Sequence, residues 1–136
     1  MKKILLSLIT IFLLVNLYGQ QQINKTLFFD GQTRSYQIYI PQIYNGTSSV
    51  PLIFSFHGGG GTIAGNIAIN DLRPLADSEN FIAIYPQALT DPQNGDATWM
   101  HKAPTTHDDI YFISSIIDTI SAQYNVDLSR VYACGY

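Results

Sequence analysis

A histidine followed by four glycines is the part of the chain whose residue types could most directly do chemistry. This segment, 57–61, comes immediately after an apolar run at 51–56. Ester hydrolysis builds negative charge on the carbonyl oxygen in the transition state, and backbone N–H groups aimed at that oxygen stabilise it. Glycines allow a substrate to approach such N–H groups closely, and an HGGG-type loop is a known form of this arrangement. We therefore predict one half of an oxyanion hole here, with Gly59 as a donor and Gly58 and Gly60 beside it.

The final residues of the sequence fit the other half of the same chemistry. A largely apolar stretch at 130–134 is predicted to be a buried strand, and it runs into Gly135 and Tyr136. In α/β-hydrolases the nucleophilic serine sits on a sharp strand-to-helix turn of sequence G-x-S-x-G, and the aspartate and histidine of the triad follow it in the chain. We expect Gly135 and Tyr136 to open this nucleophile elbow, with the serine next. The 136 residues would then contain no triad member, and the chain alone is expected to be inactive.

Two other interpretations of the glycine run are open at this point. The run could be a flexible surface loop, although its position directly after a buried strand disfavours that. It could also bind a dinucleotide, since Gly59, Gly61 and Ala64 match G-x-G-x-x-A after a strand. That fingerprint needs an acidic residue about 20 positions further on, at the end of the next strand. The sequence has Pro86 and Gln87 there, which disfavours the dinucleotide interpretation.

A long polar segment at 87–106 contains the single tryptophan and one of the other two histidines. Segments of this length without regular structure are uncommon unless they are functional. Trp99 and His101 are therefore candidates for lining the substrate site, whereas His107 is interpreted as an ordinary loop residue. His57 is predicted to anchor the glycine loop rather than to catalyse. No metal site and no cofactor are predicted.

The first nineteen residues have the pattern of a secretory signal peptide. Two lysines precede an almost entirely apolar run at 4–17, and the small residue Gly19 follows. The run is shorter than the roughly 20 residues that span a bilayer, so a cleaved signal is favoured over a membrane anchor. We expect cleavage after Gly19, export to the extracellular space or the periplasm, and a mature chain of residues 20–136 without a membrane span.

The composition of the mature chain excludes some classes of partner. Without the two lysines of the signal it has five basic and ten acidic residues and no basic run, which disfavours nucleic acids and anionic membranes. Cys134 is the only cysteine, so the chain can form no internal disulfide. Because it lies in an apolar run, we expect Cys134 to be a buried small hydrophobic residue rather than a reactive thiol.

The pattern of apolar residues predicts an α/β fold. Continuous apolar runs are typical of strands buried on both faces, and two short runs around Gly31 predict a β-hairpin. Strands that then alternate with helices imply a mostly parallel sheet with the hairpin at one edge, incomplete within this chain. The predicted strands cover 25–30, 33–40, 51–56, 81–85 and 130–134, and the predicted helices cover 70–80 and 108–124.

The second predicted helix has one apolar face and an acidic start. Asp108 and Asp109 are expected to cap it, because carboxylates satisfy the free N–H groups of a first turn. Residues three and four apart share a helix face. The face predicted to be buried consists of Ile110, Ile113, Ile116, Ile117 and Ile120.

With these elements in place, the sequence resembles the extracellular poly(3-hydroxybutyrate) depolymerase and feruloyl esterase group of the α/β-hydrolases. The resemblance covers about residues 25–136 and depends on the order and spacing of several segments together. In that family the last strand continues into G-x-S-N-G-G. The matching segments are 39–46 (YIPQIYNG), 51–53 (PLI), 57–62 (HGGGGT), 75–77 (LAD), 81–86 (FIAIYP), 108–113 (DDIYFI), 124–127 (YNVD) and 130–132 (RVY).

The resemblance implies that residues 20–136 are the N-terminal part of a serine esterase domain that works through an acyl-enzyme. Its substrates would be polymeric or oligomeric esters, either feruloyl and acetyl esters of polysaccharides or a polyhydroxyalkanoate, and no obligate protein partner is implied. A non-catalytic secreted binding protein and a serine peptidase on the same fold are the alternatives. The residue after Tyr136 would separate the enzyme from the binding protein.

Overall fold

A five-stranded mixed sheet forms the centre of the structure, a computed structural model that describes residues 20–100 and 108–135. The predictions for residues 1–19, for His101 and His107 and for Tyr136 lie outside the described residues. In chain order the elements are β1 (Gln21–Phe29), β2 (Gln32–Ile40), β3 (Val50–Phe56), α1 (Ile63–Ile69), α2 (Arg73–Glu79), β4 (Ile82–Pro86), β5 (Leu89–Thr90), β6 (Ala97–Thr98), α3 (Asp109–Ser121) and β7 (Val126–Gly135).

The sheet has the strand order β1-β2-β4-β3-β7. β3 is parallel to both β4 and β7, whereas β2 pairs in the antiparallel sense with β1 and β4. The hairpin of β1 and β2 turns at Asp30 and Gly31, whose φ angles of 50° and 74° suit a type I′ turn. The predicted α/β architecture, with parallel strands and a leading hairpin at one edge, is confirmed.

Helices cover both faces of the sheet. On one face, α3 packs on Ile82 and Ile84 of β4 and on residues of β2 and β3. On the other face, residues of α1 and α2 pack with Ala83 and Tyr85. Alternate residues of β4 therefore belong to opposite cores, which explains why its sequence is apolar throughout.

Helix α3 buries most of the predicted face and, in addition, Phe112. Phe112, Ile116 and Ile120 are buried, and Ile113 and Ile117 are partly buried. Ile110 is 60% exposed. It precedes Phe112 by two residues, and two residues turn an α-helix by about 200°, so the two side chains point in nearly opposite directions. The prediction was wrong for Ile110.

Two short helices lie between β3 and β4, where the sequence predicted only one, at 70–80. Helix α2 lies within the predicted range and holds Pro74 in its first turn, where a missing N–H costs nothing. The additional helix α1 is capped by Thr62, whose hydroxyl oxygen accepts a hydrogen bond from the N–H of Gly65 at 3.0 Å. Among the described residues, no helix has the length and apolar character needed to cross a membrane.

Strand β7 departs from the prediction in length and in burial. It begins at Val126, four residues before the predicted start, and most of its residues are exposed. In the described chain β7 is an edge strand that pairs with β3. An apolar sequence fits such a strand but does not by itself bury it, and Cys134 is exposed rather than buried. The prediction for Cys134 was wrong.

Candidate active site

The glycine loop, residues 57–62, lies beside the end of β7 at the carboxyl edge of the parallel strands. The loop leaves β3 after Phe56, which pairs with Gly135 in parallel register. Open α/β sheets bind their ligands at this edge. A groove of about 520 Å³ lies between the two segments, lined by Phe56, His57, Trp99, Ala133, Cys134 and Gly135.

Gly135 allows the end of β7 to approach β3 closely. A Cβ atom at this position would lie 2.9 Å from the carbonyl oxygen of Phe56 and 3.1 Å from its Cβ. Such contacts are too short for carbon atoms, so any larger residue would push the two strand ends apart. The sharp turn of a nucleophile elbow requires small residues for the same reason.

The glycine loop contains a tight turn at 58–61. The N–H of Gly61 donates to the carbonyl of Gly58 at 3.0 Å, and Gly60 has a φ of 70°, which favours glycine. A Cβ atom on Gly61 would lie 2.8 Å from the oxygen of Gly58 and 3.0 Å from the ring of His57. A Cβ atom on Gly59 would contact nothing within 4 Å. Position 61 is therefore packed against its own loop, whereas position 59 faces open space.

The hydrogen bonds of the loop narrow the choice of oxyanion donor. The N–H of Gly60 donates to the carbonyl of Ala97 at 2.8 Å, and the N–H of Gly61 is used in the turn. Within the part of the chain that the structure describes, the N–H groups of Gly58 and Gly59 have no acceptor. Gly58 and Gly59 are thus the donors of the predicted set that the fold leaves available, and Gly60 is not.

His57 is buried, with 3% of its surface exposed, and both ring nitrogens bind the protein. The N–H of Ala88 donates to Nε2 at 3.1 Å. Since Nε2 must accept that bond, the neutral ring carries its proton on Nδ1, which donates to the carbonyl of Gly58 at 2.8 Å. A ring held in this way ties the loop to the end of β4 and has no free nitrogen for a substrate. Its geometry suits an anchor rather than a general base.

Gln87 is a second anchor, which the sequence pattern did not predict. Its side-chain amide N–H donates to the carbonyl of Gly61 at 3.2 Å, and the same nitrogen lies 3.0 Å from Nε2 of His57. Its oxygen accepts from the N–H of Ile63 at 3.0 Å, at the start of α1. Its position in the sequence could have indicated this role. Gln87 directly follows β4, and parallel neighbours such as β3 and β4 end at the same edge of the sheet, so Gln87 must lie near the glycine loop that follows β3.

Trp99 contacts the start of the glycine loop from the segment after β6. Its indole N–H donates to the carbonyl oxygen of His57 at 2.8 Å. Its ring centroid lies 4.9 Å from that of His57 and 5.1 Å from that of Phe56, with an edge-to-face arrangement toward the phenylalanine. The structure therefore brings Trp99 to the groove, one of the two residues predicted to line the site.

The two aspartates at the start of α3 have different roles. Asp108 is the N-cap, and its carboxylate accepts from the N–H of Tyr111 at 3.2 Å. Asp109 is not a cap as predicted, because its buried carboxylate forms an ion pair with the buried Arg34. It also accepts from the N–H of Met100, which ties α3 to the residue after Trp99.

A second polar cluster lies at the amino edge of the parallel strands. This amino-edge cluster consists of Tyr39, Asp71, Arg73 and Asp77, and it lines a pocket of about 480 Å³. Arg73 pairs with Asp71 at 2.7 Å, and this hydrogen bond lowers the pKa of the carboxyl group. Tyr39 donates to Asp77 at 2.7 Å, and its pKa is raised, first by burial and then by this hydrogen bond. Across the described residues, no group of three or more His, Cys, Asp or Glu side chains could hold a metal ion.

Comparisons with known proteins identify the fold. No protein-family model matches the chain. A bifunctional acetylxylan esterase/xylanase of Neocallimastix patriciarum is 32% identical over 106 residues, which cover 78% of this chain and 14% of that protein. The S-formylglutathione hydrolase of Agrobacterium tumefaciens superposes with a TM-score of 0.69 at 14% identity, over 87% of this chain and 49% of that one.

Two further solved structures give the same result. A ferulic acid esterase superposes with a TM-score of 0.65 at 17% identity, over 87% of this chain and 50% of that one. An esterase of Pyrobaculum calidifontis superposes with a TM-score of 0.62 at 19% identity, over 89% and 37%. The chain thus spans half or less of these structures and a small part of the acetylxylan esterase/xylanase. It has the α/β-hydrolase fold, as its resemblance to the esterases of that fold predicts.

Proposed function

We propose that the whole protein is a secreted serine hydrolase of carboxylic esters, with its nucleophile directly after Tyr136. The observation that carries this proposal is the register of β3 and β7. It brings the glycine loop and the close-packed Gly135 to one groove at the carboxyl edge of the sheet. An oxyanion hole of this fold takes one N–H from such a loop and one from the residue after the nucleophile.

The proposed reaction proceeds in two halves. The serine oxygen bonds to the ester carbonyl carbon while its proton passes to the triad histidine, and the carbonyl oxygen becomes an oxyanion that accepts from the N–H of Gly59. The C–O bond to the alcohol then breaks, and the alcohol leaves with that proton. Water attacks the acyl-enzyme in the same way, which releases the acid and restores the serine hydroxyl. The loop residues here supply the oxyanion site, and the triad would come from the following part of the protein.

For the substrate class we propose esters carried by a polymer. The acetylxylan esterase/xylanase and the ferulic acid esterase named above support acetyl or feruloyl esters of plant polysaccharides. The signal-like segment at 1–19 supports export, and an exported enzyme can reach a polymer that cannot enter the cell. A polyhydroxyalkanoate is the other polymer ester to be tested.

The test uses the whole protein with aryl acetates, methyl ferulate, acetylated xylan, poly(3-hydroxybutyrate) and casein as substrates. We expect ester turnover that disappears when the serine after Tyr136 is replaced by alanine, with an unchanged melting temperature as the control for folding. Peptide cleavage without ester turnover would favour a peptidase. Polysaccharide binding without any turnover, together with a residue other than serine after Tyr136, would favour a binding protein.

A further inference from the structure

The glycine loop needs restraints from outside itself. Glycine has no Cβ, so a run of four has far more backbone freedom than other residues. Donors of an oxyanion hole stabilise the transition state only if they are already oriented before the reaction. Because the four glycines at 58–61 carry no side chains, the restraints beyond their own turn must come from the flanking residues and from neighbouring segments.

One segment, 97–99, holds the loop on both sides of Gly59. The carbonyl of Ala97 accepts from the N–H of Gly60, and the indole N–H of Trp99 donates to the carbonyl of His57, both at 2.8 Å. These two bonds fix the peptide groups before Gly58 and before Gly60. The N–H of Gly58 belongs to the first of these peptide groups, and the N–H of Gly59 belongs to the one peptide group between them.

The bond from Trp99 sets the orientation of one of these N–H groups directly. A trans peptide is planar, and its C=O and N–H point in opposite directions. The bond that holds the carbonyl of His57 toward the indole therefore turns the N–H of Gly58 away from Trp99. The contacts of the indole ring with Phe56 and His57 keep the donor itself in place.

We propose that Trp99 is a positioning residue of the oxyanion loop, acting through its indole N–H rather than through contact with the substrate. The inference rests on the proposed esterase function and adds a residue on which the rate of the chemical step depends. A misplacement of about 1 Å at a catalytic group can lower a rate on the order of 100-fold. Loss of the indole bond is thus expected to lower kcat and to leave KM nearly unchanged, because the oxyanion forms only in the transition state.

The test compares Trp99→Phe with the replacement of Trp99 by 3-benzothienylalanine, in which sulfur takes the place of the N–H within the same ring shape. For both variants of the whole protein we expect kcat on aryl acetates to fall about 10- to 100-fold, with KM within about twofold. The affinity for an aryl boronic acid, which forms a tetrahedral adduct, should fall by a similar factor. Tyr39→Phe is the matched control, since it removes a hydroxyl that donates to Asp77 and accepts from Gln20 at the opposite edge of the sheet, and it should leave both values unchanged.

A second measurement does not depend on turnover. Amide hydrogen exchange at Gly60 and Gly61, whose N–H groups are hydrogen-bonded, should become faster in both Trp99 variants and stay as in the wild type in Tyr39→Phe. Unchanged kcat and unchanged exchange in the 3-benzothienylalanine variant would overturn the inference while ester turnover by the wild type still supports the proposed function. A wild type without ester turnover would overturn both. Equal losses of kcat and melting temperature in all three variants would assign Trp99 a purely structural role.

Discussion

The carboxyl and amino edges of the parallel strands both carry a polar cluster and a cavity of similar size, about 520 and 480 Å³, yet they are built differently. At the carboxyl edge, His57, Gln87 and Trp99 are uncharged and bond mainly to backbone groups of the glycine loop. At the amino edge, Arg73 and Asp71 are charged and bond mainly to each other.

The difference lies in what the side-chain bonds hold. Side chains that bond to one another neutralise charge but leave the backbone to its own preferences. Side chains that bond to a glycine backbone fix its N–H groups in one orientation, which is what a preorganised oxyanion site requires. The cavities at the two edges have similar volumes. The edges differ in whether their side chains bond to backbone groups or to one another. The following predictions test this contrast, beginning with the largest expected effect.

The largest difference is expected between the two ion pairs. Asp109→Asn leaves the buried Arg34 with an uncompensated charge, and we expect the free energy of unfolding to fall by about 3–5 kcal/mol. Asp71→Asn removes a pair whose side chains are 32% and 35% exposed, and we expect a loss below about 1 kcal/mol. Urea unfolding of the whole protein at pH 7 measures both. Equal losses would mean that the two edges do not differ in this respect.

The second prediction concerns the glycine loop. Gly61→Ala places a Cβ atom 2.8 Å from the oxygen of Gly58, so the turn must shift. We expect ester turnover to fall about 100-fold or more, the usual cost of losing one oxyanion donor. Gly59→Ala is the matched control for stability alone, since its Cβ contacts nothing within 4 Å. A Gly61→Ala enzyme with the wild-type kcat would show that the turn does not set the donor geometry.

The sequence predicted the features of this site that depend on local pattern. The apolar run before His57 and the glycines after it were enough to place the loop at the end of a strand, and alternation of strands and helices gave the parallel neighbours. The hairpin at 21–40 followed from its alternating residues and its turn. These features depend on residues that are close together in the chain, whose preferences can be read without the tertiary structure.

The anchors could not be predicted because they depend on contacts between distant residues. Gln87 meets His57 across 30 positions, Trp99 meets it across 42, and Arg34 meets Asp109 across 75. Cys134 is exposed because β7 pairs only with β3 among the described residues, and an apolar strand has the same sequence signature whether one or both of its sides are paired. Which side chain reaches which backbone group is decided by the packing of elements, and sequence periodicity carries no information about it.

Alkaline pH should lower the free energy of unfolding, because it ionises the buried hydroxyl of Tyr85. Burial raises the pKa of Tyr85 from 10.0 to about 12. The folded pKa lies above the unfolded one, so its stabilisation is complete below about pH 10 and is lost as the pH rises through 12, by up to about 2–3 kcal/mol. Tyr85→Phe should be less stable than the wild type at pH 8, since the Leu72 N–H loses its acceptor. Between pH 9 and 12, however, its free energy of unfolding should fall less than that of the wild type. Parallel curves for the two proteins would contradict this.

The smallest effect is expected from the exposed pair of the amino edge, and it is the sharpest check that this edge is structural. The hydrogen bond from Arg73 lowers the pKa of Asp71 below 3.8, so the stabilisation from the pair is present above about pH 4 and is lost as the pH falls through the folded pKa. Arg73→Met should therefore cost well under about 1 kcal/mol at pH 7, and the difference in free energy of unfolding between it and the wild type should shrink as Asp71 becomes protonated at acidic pH. Ester turnover should not change. A tenfold loss of kcat in Arg73→Met would instead place a functional group at the amino edge, and the distinction between bonds to backbone and bonds among side chains would no longer locate the site.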